Sequence, residues 1–205
     1  MTKVAFLGMG VMGYPMAGHL AAAGHDVTVF NRTVAKSSQW TDEHTGGSET
    51  TPREAAAGQA MVFACVGNDD DLRSVCLGPD GAFAGMEAGA LFVDHTTVSP
   101  SVTRELAAEA AAKDLRYVDA PISGGQAGAE NGVLTVTCGG APADFDEAEP
   151  VIDAYAKKCM LIGAVGAGQQ TKMLNQICIA GLVQALSEAV SLGPKLDLAR
   201  DAALG

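Results

Sequence analysis

The stretch Val4-Ala5-Phe6-Leu7-Gly8-Met9-Gly10-Val11-Met12-Gly13 decides the fold of this chain. A short apolar run breaks into three spaced glycines. Helical spacing follows at Met12, Met16, Leu20 and Ala23, and then a second apolar run, Val27-Thr28-Val29-Phe30. The order is strand, Gly-rich turn, helix, strand, the context in which Gly-x-Gly-x-x-Gly carries meaning. Gly8 allows the tight turn, Gly10 lets the backbone approach a pyrophosphate, and Gly13 lets the helix lie against the strand. The free N–H groups and positive dipole end of that helix then face the phosphates, with Val11 and Met12 in the same turn.

The end of the second strand bears on which dinucleotide fits. An Asp or Glu about twenty residues past the glycines usually accepts from the ribose 2′-hydroxyl of NAD. This chain has Asn31-Arg32-Thr33 there. A carboxylate would repel a 2′-phosphate, whereas a guanidinium with amide and hydroxyl neighbours can bind one. The reading is NADP, with NAD as the alternative and a merely solvated Arg32 as the plain structural reading.

Working outward, the 205 residues allow one large domain, or one domain and part of another. A hydrophobic share of 48% against 18% charged residues is that of a chain with a packed core, not a disordered one. The net charge of -11, with no basic run to offset it, argues against nucleic acid and anionic membrane as partners. Cys65, Cys76, Cys138, Cys159 and Cys178 are odd in number, scattered, and form no Cys-x-x-Cys, so they read as small apolar residues. His19, His25, His44 and His95 lack ligand spacing, and no metal is expected. Lys3 before an apolar stretch imitates a signal peptide, but three glycines and a following βαβ pattern read as the first strand of a fold. No segment reads as long enough to span a bilayer. The expectation is a cytoplasmic, reduced protein.

Met61-Val62-Phe63-Ala64-Cys65-Val66 is a continuous apolar run, as in a parallel strand buried on both faces. Loops at the carboxyl ends of such strands border the ligand. Val66, Gly67 and Asn68 are therefore cofactor candidates, and an Asp of Asp69-Asp70 can cap the next helix. Ala90-Leu91-Phe92-Val93 ends in Asp94-His95-Thr96-Thr97, and Ser99-Pro100 reads as a helix start. Thr96 or Thr97 can bond a nicotinamide ribose or cap the turn. Leu115-Arg116-Tyr117-Val118-Asp119 leads to Ala120-Pro121-Ile122-Ser123-Gly124-Gly125. Backbone N–H groups crowded after Ser123 suit a small carboxylate, or form an ordinary flexible loop. An alternating strand (Val133 to Cys138), a helix from Pro142 and a strand at Cys159-Met160-Leu161-Ile162 close an α/β domain at about residue 163.

From Gln169 to Leu192 the pattern is one long helix, interrupted in charge only by Lys172 and Glu188. It is apolar on most of its circumference and needs partners on several sides. The expected fold is a Rossmann-type, mostly parallel α/β sheet over residues 1–163. Residues 164–205 read as a long helix that begins an incomplete all-α domain.

Four motifs in order are similar to those of the β-hydroxyacid dehydrogenase family: Gly8 to Gly13 with Asn31-Arg32-Thr33; Asp94-His95-Thr96-Thr97; Asp119-Ala120-Pro121-Ile122-Ser123-Gly124-Gly125; and Gly168-Gln169-Gln170-Thr171-Lys172-Met173-Leu174-Asn175. The family includes 3-hydroxyisobutyrate dehydrogenase, tartronate semialdehyde reductase and 6-phosphogluconate dehydrogenase. The resemblance implies hydride transfer between a nicotinamide and a small β-hydroxy acid or its semialdehyde. It also implies that Lys172 is the general acid/base, that Ser123, Gly124 and Gly125 hold the substrate carboxylate, and that Asn175 bonds the reacting oxygen or positions Lys172. Lys172 and Asn175 are three apart, hence on one helix face. Asn175-Gln176 looks more like tartronate semialdehyde reductases, and Asp94-His95-Thr96-Thr97 more like bacterial 3-hydroxyisobutyrate enzymes. The resemblance implies a further half-domain of helices over the long helix, and a dimer or higher oligomer formed through that helix. The rival expectation is an NADP-binding module without turnover.

Overall fold

The computed structural model describes residues 1–196. The elements begin with β1 (Lys3–Leu7), α1 (Gly13–Ala22), β2 (Asp26–Phe30), α2 (Val34–Glu43), β3 (Gly47–Ser48) and α3 (Pro52–Ala56). Then come β4 (Met61–Ala64), α4 (Asp69–Cys76), α5 (Ala82–Gly85), β5 (Leu91–Asp94), α6 (Pro100–Ala111), β6 (Arg116–Asp119) and β7 (Ile122–Ser123). The last are α7 (Gly125–Glu130), β8 (Leu134–Gly139), α8 (Pro142–Ile152), β9 (Ala156–Gly163) and α9 (Ala167–Leu192), with a 3₁₀ turn over Gly193–Leu196.

The strands form one sheet in the order β3-β2-β1-β4-β5-β6-β8-β7, with β9 paired to β8. From β3 to β6 every pairing is parallel, which is the doubly wound order with its crossover beside β1. β8 runs antiparallel to β6 and β7, and β9 returns parallel to β8. Apolar side chains of β1 alternate between two cores. Val4 and Phe6 join one face with Val27, Phe63 and Val93, while Ala5 and Leu7 join the other with Val62, Phe92 and Leu106. Burial on both faces is why β1, β4 and β5 read as continuous apolar runs.

The register places Leu7, Ala64, Asp94 and Asp119 in one row at the carboxyl edge of the sheet. Their four following loops therefore emerge level with one another, and this row locates the site.

Several expectations need correction. Helix α4 is capped by Asn68, whose Oδ1 accepts from the N–H groups of Asp70 and Asp71 at 3.0 and 2.9 Å, and not by an Asp. The Ser123-Gly124-Gly125 stretch is not a flexible loop: it ends β7 and begins α7, with Gly124 at φ 138° turning the chain between them. Helix α9 is long and apolar enough to cross a bilayer by length and composition, contrary to the sequence expectation. Two charges spread over 26 residues dilute its apolar character too little to fail that test. Its first turns pack on β6, β8, β9 and α6, and Gly168 and Gln169 are buried there. Beyond them it exposes Leu174, Ile177, Leu182, Val183 and Leu186. The expected helical domain beyond residue 196 lies outside the described residues.

Candidate active site

The glycine turn is built as a cradle. Gly8, at φ +106°, leaves no room for a Cβ, which would strike the carbonyl of Cys65. A Cβ on Gly13 would strike the carbonyl of Gly8, so the helix starts in direct contact with the turn. Gly10 is different, because a Cβ there meets nothing within 4 Å. Packing within the chain does not require that glycine, and the open space beside it fits a group brought from outside. Met9 N–H donates to Asn31 Oδ1 at 2.9 Å, and Asn31 Nδ2 donates to the Thr33 carbonyl at 3.0 Å. The Asn31 amide thus braces the turn against the end of β2.

A cleft of about 430 Å³ opens beside this turn, lined by Asn31, Arg32, Thr33 and Lys36 on one wall and Val66, Gly67 and Asp71 on the other. Arg32 is exposed and pairs with Asp71 at 3.0 Å. Lys36, one turn into α2, was missed by the sequence reading. Its signal was a cation four residues past Arg32, and it borders both this cleft and the surface around Gly10 and Val11. The residues fit a nicotinamide dinucleotide: an open glycine, a helix N-terminus behind it, and a cleft with cations at the end of β2. Asn68 is not part of the cleft lining, since its side chain is spent on the α4 cap.

The second half of the site lies along the carboxyl-edge row. Lys172 donates to the Ile122 carbonyl at 2.8 Å and to Ser123 Oγ at 3.2 Å. An ammonium carries three donors, so one remains without a partner among the described residues. Burial holds the Lys172 pKa below the usual lysine value. A pocket of about 320 Å³ joins Lys172 to Met12, Val66, Gly67, Thr97, Ile122 and Gly125, and so connects the lysine to the dinucleotide cradle. Thr97 is exposed to this pocket. Thr96 is buried and structural, with its Oγ1 accepting from the N–H of Val66 at 3.1 Å. Asn175 is half-buried and outside the lining of this pocket, and among the described residues its amide meets only Gln176, at 3.4 Å. Ser123 is thus hydrogen-bonded to Lys172, whereas Asn175 makes no bond to it among the described residues.

Two buried residues position α9, and sequence spacing gave neither a role. Asp119 accepts from the N–H groups of Gly166 and Gln169 at 2.6 and 2.9 Å, capping the helix from a distant strand. Gly168 lies so close to Asp119 and to the carbonyl of Thr137 that a side chain would not fit. Gln169 donates to the Thr96 carbonyl at 2.6 Å and accepts from Val98 N–H at 3.3 Å. The lysine is therefore referenced to the ends of β5 and β6 by hydrogen bonds. Such partners lie 47 or more residues apart in the chain, so no local pattern announces them.

His95 is buried in the wall of the same pocket, stacked on Phe63. The Ala120 carbonyl, 2.6 Å away, can only accept, so Nδ1 carries the proton and Nε2 accepts from the Tyr155 hydroxyl at 2.8 Å. Burial lowers its pKa to about 4, and the ring is neutral at neutral pH. It is a structural residue.

Residues 3–163 match the model of the NAD binding domain of 6-phosphogluconate dehydrogenase. The chain belongs to the β-hydroxyacid dehydrogenase family. Among family members, an uncharacterized oxidoreductase of Shewanella frigidimarina is 60% identical over 97% of this chain and 68% of its own length. The probable 3-hydroxyisobutyrate dehydrogenase-like 2, mitochondrial, of Arabidopsis thaliana is 38% identical over 96% of this chain and 65% of its own length. The structure of Mycobacterium tuberculosis 3-hydroxyisobutyrate dehydrogenase with L-serine superposes with a TM-score of 0.89 at 33% identity, covering 97% of this chain and 67% of that one. The chain thus spans about two thirds of the length of these β-hydroxyacid dehydrogenase relatives. Its sheet is a nicotinamide-dinucleotide-binding domain.

Proposed function

We propose that the chain carries the reaction centre of an NADP-dependent oxidoreductase acting on a small β-hydroxy acid or its semialdehyde, with Lys172 as general acid/base. The observation that carries this reading is the Lys172 ammonium, half-buried, bonded to Ile122 and Ser123, with a third donor unpartnered among the described residues, lining a pocket shared with Met12 of the glycine turn. A bound nicotinamide would supply or accept the hydride. The third Lys172 donor would hold the substrate oxygen, giving a proton during carbonyl reduction and taking one during alcohol oxidation. Burial lowers its pKa and so favours both roles, because the neutral amine then competes better with the ammonium. The first-turn N–H groups of α7 after Gly124, with the Ser123 hydroxyl, would bind the substrate carboxylate. Arg32 and Lys36 in one cleft, with no carboxylate at the end of β2, support NADP. The apolar side chains that α9 exposes support a second copy of the chain as its cover.

The same exposed face supports a second reading, a dinucleotide-binding module without turnover, since α9 leaves large apolar side chains uncovered. NADPH oxidation against small semialdehydes, measured beside NADPH binding for wild type and Lys172→Ala, separates the two. Turnover lost in the variant with binding retained supports the enzyme, whereas binding without turnover in both supports the module.

A further inference from the structure

We infer that Asp71 is a cofactor-selecting residue whose carboxylate competes with a 2′-phosphate for Arg32 and so restrains the preference for NADP over NAD. The inference rests on the proposed reading of the 430 Å³ cleft as the site of the adenosine half of the dinucleotide.

Dinucleotide sites are usually judged by the residue at the end of β2. Here that position holds Asn31 and Arg32, but the fold brings a carboxylate to the opposite wall. Asp71 lies in the first turn of α4, its N–H fixed by Asn68 Oδ1 at 2.9 Å, where the helix dipole favours a negative charge. Its Oδ1 takes the Arg32 guanidinium at 3.0 Å, across 39 residues of sequence. Its Oδ2 occupies the space a side chain at position 67 would need: a Cβ on Gly67 would come within 2.5 Å of it. The β4 loop thus makes room for this carboxylate to face the cleft. Asp71 is 28% exposed against 85% for Arg32, so the acid is the more buried partner and the arginine the more exposed one.

A 2′-phosphate carries a charge of roughly -1.5 to -2. To reach Arg32 it must open the Arg32–Asp71 pair and then share the cleft with the Asp71 anion. A 2′-hydroxyl leaves the pair closed and can donate to the Asp71 carboxylate. The selector therefore lies in two residues from different loops. Because the arginine is exposed, screening limits the effect to several-fold.

The test is calorimetric titration of the whole chain with NADP and with NAD, for wild type, Asp71→Asn, Asp71→Ala, Arg32→Gln and the Arg32→Gln/Asp71→Asn double variant. The expected result is that both Asp71 variants raise the ratio Kd(NAD)/Kd(NADP) by about three- to tenfold at low salt. The rise should be absent in the Arg32→Gln background. An unchanged or lowered ratio in both Asp71 variants, with Arg32→Gln still weakening NADP, overturns the selector and leaves the cleft assignment standing. Failure of the wild type to bind either dinucleotide, or indifference of NADP affinity to Arg32→Gln, overturns the cleft assignment and the selector with it.

Discussion

Removing the Asp119 carboxylate tests how the site is held. Asp119→Ala leaves the N–H groups of Gly166 and Gln169, now bonded at 2.6 and 2.9 Å, without their acceptor. Each hydrogen bond to a charged group contributes about 1.5–3 kcal/mol. Burial already raises the Asp119 pKa, so relief of desolvation offsets part of the loss. The net cost is about 3 kcal/mol, which at an m-value of about 2 kcal/mol/M lowers the urea midpoint by about 1.5 M. Asp119→Asn keeps the shape but turns an amide N–H toward one donor, and should lose at least half as much. Because α9 loses its anchor, Lys172 drifts from Ser123. Turnover should fall at least about tenfold while NADPH affinity, set at Gly10 and Arg32, stays within about twofold. A midpoint within about 0.5 M of wild type for both variants would refute the claim that this cap fixes the helix.

Gly10→Ala should fold with unchanged stability, since the new methyl meets nothing, yet weaken dinucleotide binding at least about tenfold; Gly13→Ala should cost about 1–3 kcal/mol by overpacking. Paired urea melts and cofactor titrations read both. His95 and Asp94 should act oppositely on stability. His95, lowered from 6.5 to about 4, contributes stability that is lost as pH falls through that window, about 3 kcal/mol in full. Asp94, raised by burial from 3.8 to about 7, contributes stability present at low pH and lost as pH rises through that range. Urea midpoints of wild type should therefore vary little between about pH 4.5 and 6.5. Those of His95→Gln should fall with rising pH, and a rise would contradict the buried neutral imidazole.

The sheet was legible because its signals are local. Val4 to Leu7, Met61 to Ala64 and Leu91 to Asp94 are buried on both faces, and Gly8 and Gly13 sit where contact with Cys65 and Gly8 respectively demands them. Ser99-Pro100 marked the start of α6 for the same reason, with Ser99 Oγ accepting from Val102 N–H at 3.3 Å. What escaped depends on contacts across the fold. Asn68 read as a cofactor residue from its place in the loop after β4, but its Oδ1 is consumed by the N–H groups of Asp70 and Asp71 and it lies outside the cleft lining. Asn175 shares a helix face with Lys172, yet that face is wider than the pocket. The cap by Asp119, the bridge of Gln169 and the carboxylate opposite Arg32 join segments 39 to 73 residues apart, and only the folded sheet brings them level.

The central claim is tested most directly by single-turnover NADPH oxidation with wild type and Lys172→Ala on a panel of three- and four-carbon semialdehydes and glyoxylate, with NADPH binding measured in parallel. The account predicts that Lys172→Ala binds NADPH within about twofold of wild type and loses about 10²-fold or more in rate. It also predicts that wild-type reduction slows as pH rises through the lowered Lys172 pKa, since the donor form is then lost. A Lys172→Ala variant that turns over at the wild-type rate with the same pH profile would contradict it.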